Sequence, residues 1–277
     1  MVMKRHKRIA ASATTYILLI IALVWTIFPV YWMIKSSITV NSEMYVARPS
    51  LIAKHYTFEN YVDLFTKTEF PRALLNSLMI AFLTTVCCLL ISILGSYAMT
   101  RLKYPGRRFF KTSIIFSYLI PTAVLFVPMY VFVSKLGFYD NKWALLIIYP
   151  TTVVPYCCYM LMSYFKAIPY ALEEAALIDG CTRMKSLRYI ITPIALPGIA
   201  VVATFAFTMS WNEYLYAMIM TTSPAQQTAV VAISSFKYAD SAIWGRIMAA
   251  SVLTSLPVTI IYIVAQAQLI SGKSDGS

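Results

Sequence analysis

Six long uncharged stretches, separated by short charged ones, set the pattern of this chain. They lie between Arg8 and Lys35, Arg72 and Arg101, Lys111 and Lys135, Lys142 and Lys166, Arg188 and Glu213, and Arg246 and Lys273. A hydrocarbon layer about 30 Å thick is crossed by roughly 20 apolar residues in an α-helix, with every backbone polar group bonded inside the segment. Each stretch is long enough. The pattern therefore predicts an all-α, polytopic membrane protein with six transmembrane helices, at about 12–34, 73–100, 112–134, 143–165, 194–220 and 246–270. A seventh stretch, 214–236, is interrupted by TTSPAQQT and reads as a surface loop. Short surface helices are expected around TFENYVDLF, within a segment at 37–70. No internal repeat, low-complexity tract or soluble domain is visible, so residues 1–277 read as one transmembrane domain.

Composition agrees with the pattern. Hydrophobic residues make up 60% of the 277 and charged residues 12%, against about a quarter charged in soluble domains. The five cysteines show no CxxC spacing, and four form adjacent pairs inside apolar runs. There they behave as small soft hydrophobes rather than a metal or redox set.

The net charge of +12 does not point to nucleic acid, because it gathers in the loops between apolar runs. Six spans put both termini on one side. The N-terminus, the Arg101–Lys111 loop, the loop at 166–193 and the C-terminal tail hold fourteen of the 23 Lys and Arg, and the segments opposite hold eight, besides Lys35 at the end of the first apolar run. The bias is strongest in KRHKR and RLKYPGRRFFK, next to spans, where bases mark the cytoplasmic side. That predicts N-in and C-in. The basic N-terminus followed by an apolar core resembles a signal peptide, but no small-residue cleavage site follows, so it is read as an uncleaved first span.

One stretch breaks the monotony. EEAALIDGCTRMKSLRYIITPIALP, residues 173–197, packs acids, bases and a glycine between two apolar runs. Pro169 suits a helix start, and Glu173 and Glu174 sit near the positive end of the helix dipole. Gly180 lets the chain leave with positive φ. Thr182 can cap a second short helix bearing Arg183, Lys185 and Arg188. Pro193 and Pro197 then redirect the chain into the fifth span. On physical grounds alone, a connector lying on lipid headgroups and a handle for a partner protein both fit.

The pattern Glu174-Ala175-Ala176, Gly180, Ile190, Thr192, Pro193 resembles the loop shared by permease subunits of type I ABC importers. It departs only at Thr192, where that family usually has Leu or Val. TFENY at 57–61, NSLMIA at 76–81, GSYAMTRLKYPG at 95–106 and SWNEYL at 210–215 further resemble the carbohydrate-uptake branch, in particular the smaller permease of maltose-type importers.

The resemblance implies a non-catalytic permease subunit of a bacterial cytoplasmic (inner) membrane sugar importer, with an oligosaccharide or glycoside as cargo. Its expected partners are a second permease in a heterodimer, an ATPase dimer that binds ATP and magnesium, and an external solute-binding protein. No cofactor in this chain and no nucleic-acid partner is implied. It assigns ATPase coupling to Glu173, Glu174, Ala175, Ala176, Asp179, Gly180, Arg183 and Pro193, and assigns the outer loop 221–241 to the binding protein. A permease for a non-sugar solute, or a self-sufficient secondary transporter, are the rivals.

Glu213 is the sole acid inside a predicted span, an expensive placement that demands a polar cavity or a partner. With Trp211 and Asn212 it offers an aromatic face, an amide and a carboxylate, the groups that hold sugars. Lining of the translocation pathway and a structural role, for example an ion pair with Arg246, both remain open. AQLISGKS at 267–274 mimics a phosphate loop but ends a predicted span instead of following a strand, so ATP binding is not expected there.

Overall fold

The computed structural model describes the backbone of residues 2–46, 48–236 and 244–274, and the side chains of 15–46, 48–236 and 244–266. Residues 237–241 of the expected outer loop fall outside them. Among the described residues the chain is helical, and its nearest approach to a strand is an isolated bridge between Thr39 and Tyr56.

The helices are α1 (Val2–Ser37), α2 (Asn41–Met44), α3 (Glu59–Thr66), α4 (Phe70–Arg101), α5 (Arg107–Leu119), α6 (Thr122–Lys135), α7 (Ala144–Ala167), α8 (Tyr170–Ile178), α9 (Arg183–Ser186), α10 (Thr192–Ile194), α11 (Leu196–Trp211), α12 (Leu215–Met220), α13 (Ala229–Ser235) and α14 (Trp244–Ser274). A π-helical turn, Leu187–Ile191, joins α9 to α10.

Among the described residues, α1, α4, α7 and α14 are long and apolar enough to cross a membrane. The α5–α6 pair, bent by 99°, and the α9–α11 segment, bent by 82°, bring the total to six if each is one span. The third and fifth spans are predicted as single stretches, 112–134 and 194–220, and the structure breaks both. The bend at the start of the fifth is the redirection expected from Pro193 and Pro197. The first bend falls at Ile120–Pro121, where Ile120 is extended (ψ 122°) and Pro121 caps α6. Proline clashes with an α-conformation in the residue before it. The second bend falls between Pro193 and Pro197, each at the start of a helix. The fifth segment breaks again at Asn212–Tyr214, between α11 and α12.

The chain divides into two compact units. One comprises Met1–Thr68 and Ser235–Leu253, the other Glu69–Ser234 and Thr254–Ser277. In the first, the Asn60 amide donates to the carbonyls of Ser37 (3.0 Å) and Thr39 (3.1 Å). Asn60 thereby fastens α3 to the end of α1. Glu43 accepts from the backbone N–H of Lys54 and of His55, both at 3.0 Å. Between Tyr16 and Tyr31 the apolar side chains of α1 stay exposed, Tyr16 at 67% and Trp25 at 82%, a surface suited to lipid or another membrane helix.

The second unit is built on α4, α7 and α11. Cys88, Cys157, Ala206 and Val202 are fully buried between them, with Leu161, Phe165 and Ile191. Small residues let membrane helices approach closely. Ser96 Oγ donates to the Cys158 carbonyl at 3.0 Å, and a Cβ on Gly95 would stand 3.6 Å from Cys158 Sγ. Cys88, Cys157 and Cys158 are thus packing residues while Cys87 is exposed, and all five cysteines are free. A Cβ on Gly198 would fall among the ring atoms of Tyr164. Gly198→Val is therefore expected to destabilise the chain by about 1–3 kcal/mol, as overpacked cores do. A lowered unfolding temperature in detergent, followed by size-exclusion recovery after heating, checks it.

Candidate functional site

At one end of the second unit, α8 follows α7 and turns one face, with Glu173 and Ala176 buried, toward the end of α4. It starts behind Pro169, whose extended backbone (ψ 134°) serves as the N-cap. At its other end the N–H groups of Asp179 and Cys181 return to the carbonyls of Ala175 and Ala176, both at 2.9 Å. Gly180 takes φ 83°, the left-handed conformation that completes such a stop. Thr182 Oγ1 then accepts from Lys185 N at 3.3 Å and caps α9. The result is the expected pair of short capped helices around a glycine turn.

Two adjacent acids in α8 do opposite things. Glu173 is 4% exposed and Ala176 5% exposed, whereas Glu174, Ala175, Asp179 and Gly180 face outward. Ile178, 86% exposed, adds an apolar point to that face. Inward, the Tyr97 hydroxyl donates to Glu173 Oε1 at 2.5 Å, and Arg101 Nε stands 3.7 Å from Glu173 Oε2. Arg101 Nη2 donates to the carbonyls of Phe165 (2.5 Å) and Ile168 (2.6 Å). Its guanidinium lies 4.2 Å above the ring of Tyr170, whose hydroxyl donates to the Thr100 carbonyl at 2.8 Å. Arg107 closes the C-terminus of α4, donating to the carbonyls of Met99, Thr100 and Leu102 at 2.8, 2.9 and 3.0 Å.

Glu173, Glu174 and Arg183 line one open cavity of about 960 Å³ with Arg101, Lys103 and Arg107. Pro193 stands apart from it, inside α10. Sequence reasoning missed Tyr97 and Arg101, although both lie in GSYAMTRLKYPG. The available signal was a base at the end of a long uncharged run, read there as a mere orientation mark.

The opposite end carries a second constellation. Asn76, in α4, donates through its amide to the carbonyls of Ala225 (3.1 Å) and Gln227 (3.0 Å) and accepts from Lys142 Nζ at 2.7 Å. Ser77 Oγ accepts from Ala229 N at 2.8 Å. The Asp140 carboxylate accepts from Ser223 N (2.8 Å) and from the Ser223 hydroxyl. NSLMIA, SPAQQT and the 136–143 turn thus form one unit, and the loop 221–228 is pinned rather than loose.

The Ser223 hydroxyl, then its N–H, hold the Asp140 carboxyl below the usual carboxylate range. A depressed folded-state pKa gives stabilisation that is complete above the ordinary value near 4 and disappears as pH falls through the depressed one. Protection of 221–228 from hydrogen exchange, corrected for the intrinsic rate at each pH, is therefore expected to fall as pH drops below the ordinary carboxylate value. Asp140→Asn should exchange faster already at pH 7.

The three residues assigned to the translocation pathway lie elsewhere. Trp211 is 2% exposed. Its indole stacks on Phe207 at 5.5 Å and donates to the Thr254 carbonyl at 3.2 Å, so its face is covered by packing. Asn212 is exposed and donates back to the Thr208 carbonyl at 3.0 Å. Glu213 accepts from Tyr216 N (3.0 Å) and Ala217 N (3.1 Å), serving the unpaired N–H groups at the start of α12. Arg246, the alternative partner weighed for Glu213, instead pairs with Asp63 at 2.8 Å. Residues 267–274 continue α14 as helix, a geometry that cannot wrap a phosphate.

Comparison with known proteins agrees with this architecture. Residues 89–273 match the family described as binding-protein-dependent transport system inner membrane component. The chain is 34% identical to the inner membrane ABC transporter permease protein YcjP of Escherichia coli, over 99% of both chains. It is 33% identical to the trehalose/maltose transport system permease protein MalG of Thermococcus litoralis, over 91% of each. It is 30% identical to the trehalose transport system permease protein SugB of Mycobacterium tuberculosis, over 91% of this chain and 92% of that one. In fold it is similar to a chain of a bacterial ABC transporter that imports alginate, with a TM-score of 0.81 at 21% identity over 92% and 95% of the two chains. A multi-pass helical chain with this match is a transport subunit with no catalytic chemistry of its own, and it belongs to the family of binding-protein-dependent transport system inner membrane components.

Proposed function

We propose that this chain is one of two permeases in a heterodimer that imports an oligosaccharide or glycoside across the bacterial inner membrane. An ATPase dimer drives it and an external solute-binding protein delivers the cargo. One observation carries the sugar assignment. Relatives alike over about nine-tenths of both chains are named as permeases for trehalose, trehalose/maltose and diacetylchitobiose.

The geometry supports a division of labour. The end bearing α8 also bears Lys103, Arg107 and Arg183, and basic loops face the cytoplasm. There the outward face of Glu174, Ala175, Ile178, Asp179 and Gly180 is the surface offered to an ATPase. ATP and magnesium belong to that partner. The pinned 221–228 loop at the other end is the surface offered to the binding protein. Closure of the ATPase dimer on ATP moves α8, and the helices switch from inward to outward facing. Hydrolysis resets them.

Disruption of the gene in its native host, followed by uptake of radiolabelled maltose, trehalose and diacetylchitobiose, tests the cargo class. Loss of at least one of the three uptakes, restored by the intact gene, is expected. Unchanged uptake of all three, with loss of uptake of a labelled amino acid, contradicts the sugar assignment.

A further inference from the structure

We propose that Arg101, Tyr97 and Glu173 are positioning residues that lock the joint between α7 and α8, so that α8 moves as one piece with the adjoining ends of α4 and α7. The proposal rests on the coupling role given to α8 above and names the residues that transmit its motion.

The joint is short. Ile168 (ψ 127°) and Pro169 (φ −57°, ψ 134°) are extended and separate two helices, and such a two-residue break is a hinge unless something holds it. With nine residues, α8 is below the length at which a helix is stable by itself. Its outward face offers it no support. What holds it comes from α4. A single nitrogen, Arg101 Nη2, bonds the carbonyls of Phe165 and Ile168, on both sides of the end of α7. The same guanidinium lies on Tyr170, the first residue of α8, and 3.7 Å from the Glu173 carboxylate one turn on. Tyr97, one turn before Arg101, takes the other carboxylate oxygen. The Arg101 side chain is 0% and that of Glu173 6% exposed, so the lock is shielded from competing water. A flexible α8 would absorb a partner's push, whereas a clamped one passes it to the ends of two spans.

The planar guanidinium is required because it does three things at once: Nη2 bonds the two carbonyls, Nε faces Glu173 and the flat group lies on Tyr170. A lysine ammonium can reach the carbonyls, but it has neither a second nitrogen for Glu173 nor a planar face for the ring.

The test places spin labels at Leu172→Cys on α8, outside the face offered to the ATPase, and Leu94→Cys on α4, both exposed positions, with Cys87 and Cys181 changed to serine. The intact assembly is measured in nanodiscs, without nucleotide and with ATP, magnesium and vanadate. One narrow distance of equal width in both states is expected for the otherwise native chain. Arg101→Lys and Glu173→Gln are each expected to broaden it at least twofold while the ATPase still co-purifies. Tyr97→Phe, which removes only a hydroxyl, supplies the same measurement should either of these not insert. A pair that merely stabilises the fold would lower the unfolding temperature and leave the width unchanged, and that result overturns the proposal. If no ATPase accompanies the native chain, the coupling reading fails instead, and the width measured on the purified chain still decides whether the joint is locked.

Discussion

Gly180→Pro is expected to cut recovery of the partner ATPase with this chain at least tenfold, with the spans still inserted. Gly180 sits at φ 83° and donates its N–H to the Leu177 carbonyl at 3.2 Å. Proline is confined to φ near −65° and has no N–H, so the turn between α8 and α9 cannot form. Gly180→Ala separates backbone from contact. A methyl group there meets nothing within 4 Å, which leaves only the left-handed penalty of about 1–2 kcal/mol. Its effect on recovery should fall between wild type and the proline variant. Membrane insertion, read from detergent-extracted yield, should be equal in all three.

Asn76→Leu is expected to disable the other end of the molecule. Leucine approximates the volume but orphans two carbonyls and a lysine ammonium that Asn76 now satisfies. Each stranded partner costs about 1–3 kcal/mol. Hydrogen exchange over 221–228 should rise at least a hundredfold, and stimulation of ATP hydrolysis by the binding protein should be lost. Co-purification of the ATPase should be unchanged, because α8 lies at the opposite end. The two variants thus fail in complementary ways.

The contrast between those ends shows where the sequence is legible. Long uncharged runs announce α1, α4, α7 and α14, since a bilayer leaves backbone polar groups no partner but their own helix. The turn at Gly180 and the cap at Thr182 were equally readable, because local backbone chemistry fixes both. The bends were half-readable. The Ile120–Pro121 step disfavours helix before it, yet a run of apolar residues on either side reads as one span. Sequence spacing also treated Glu173 and Glu174 alike. Only the approach of Tyr97 and Arg101, more than 70 positions earlier, turns the first inward and leaves the second exposed.

Trp211, Asn212 and Glu213 make the same point from the other direction. Adjacent in sequence, they suggested one polar patch. The break after Trp211 sends the indole into packing against Phe207 and the carboxylate to the start of α12. Tertiary partners decide what a polar residue in an apolar span is for. Asn76 and Lys142 were missed for this reason, since neither is notable until the loop 221–228 folds over them.

Affinity purification of the tagged chain from its native host in mild detergent, followed by reconstitution into vesicles, tests the central claim most directly. A second permease and an ATPase are expected to accompany it. Vesicles should accumulate labelled sugar only with ATP and the binding protein present. A chain that purifies alone and moves sugar without ATP would contradict the account.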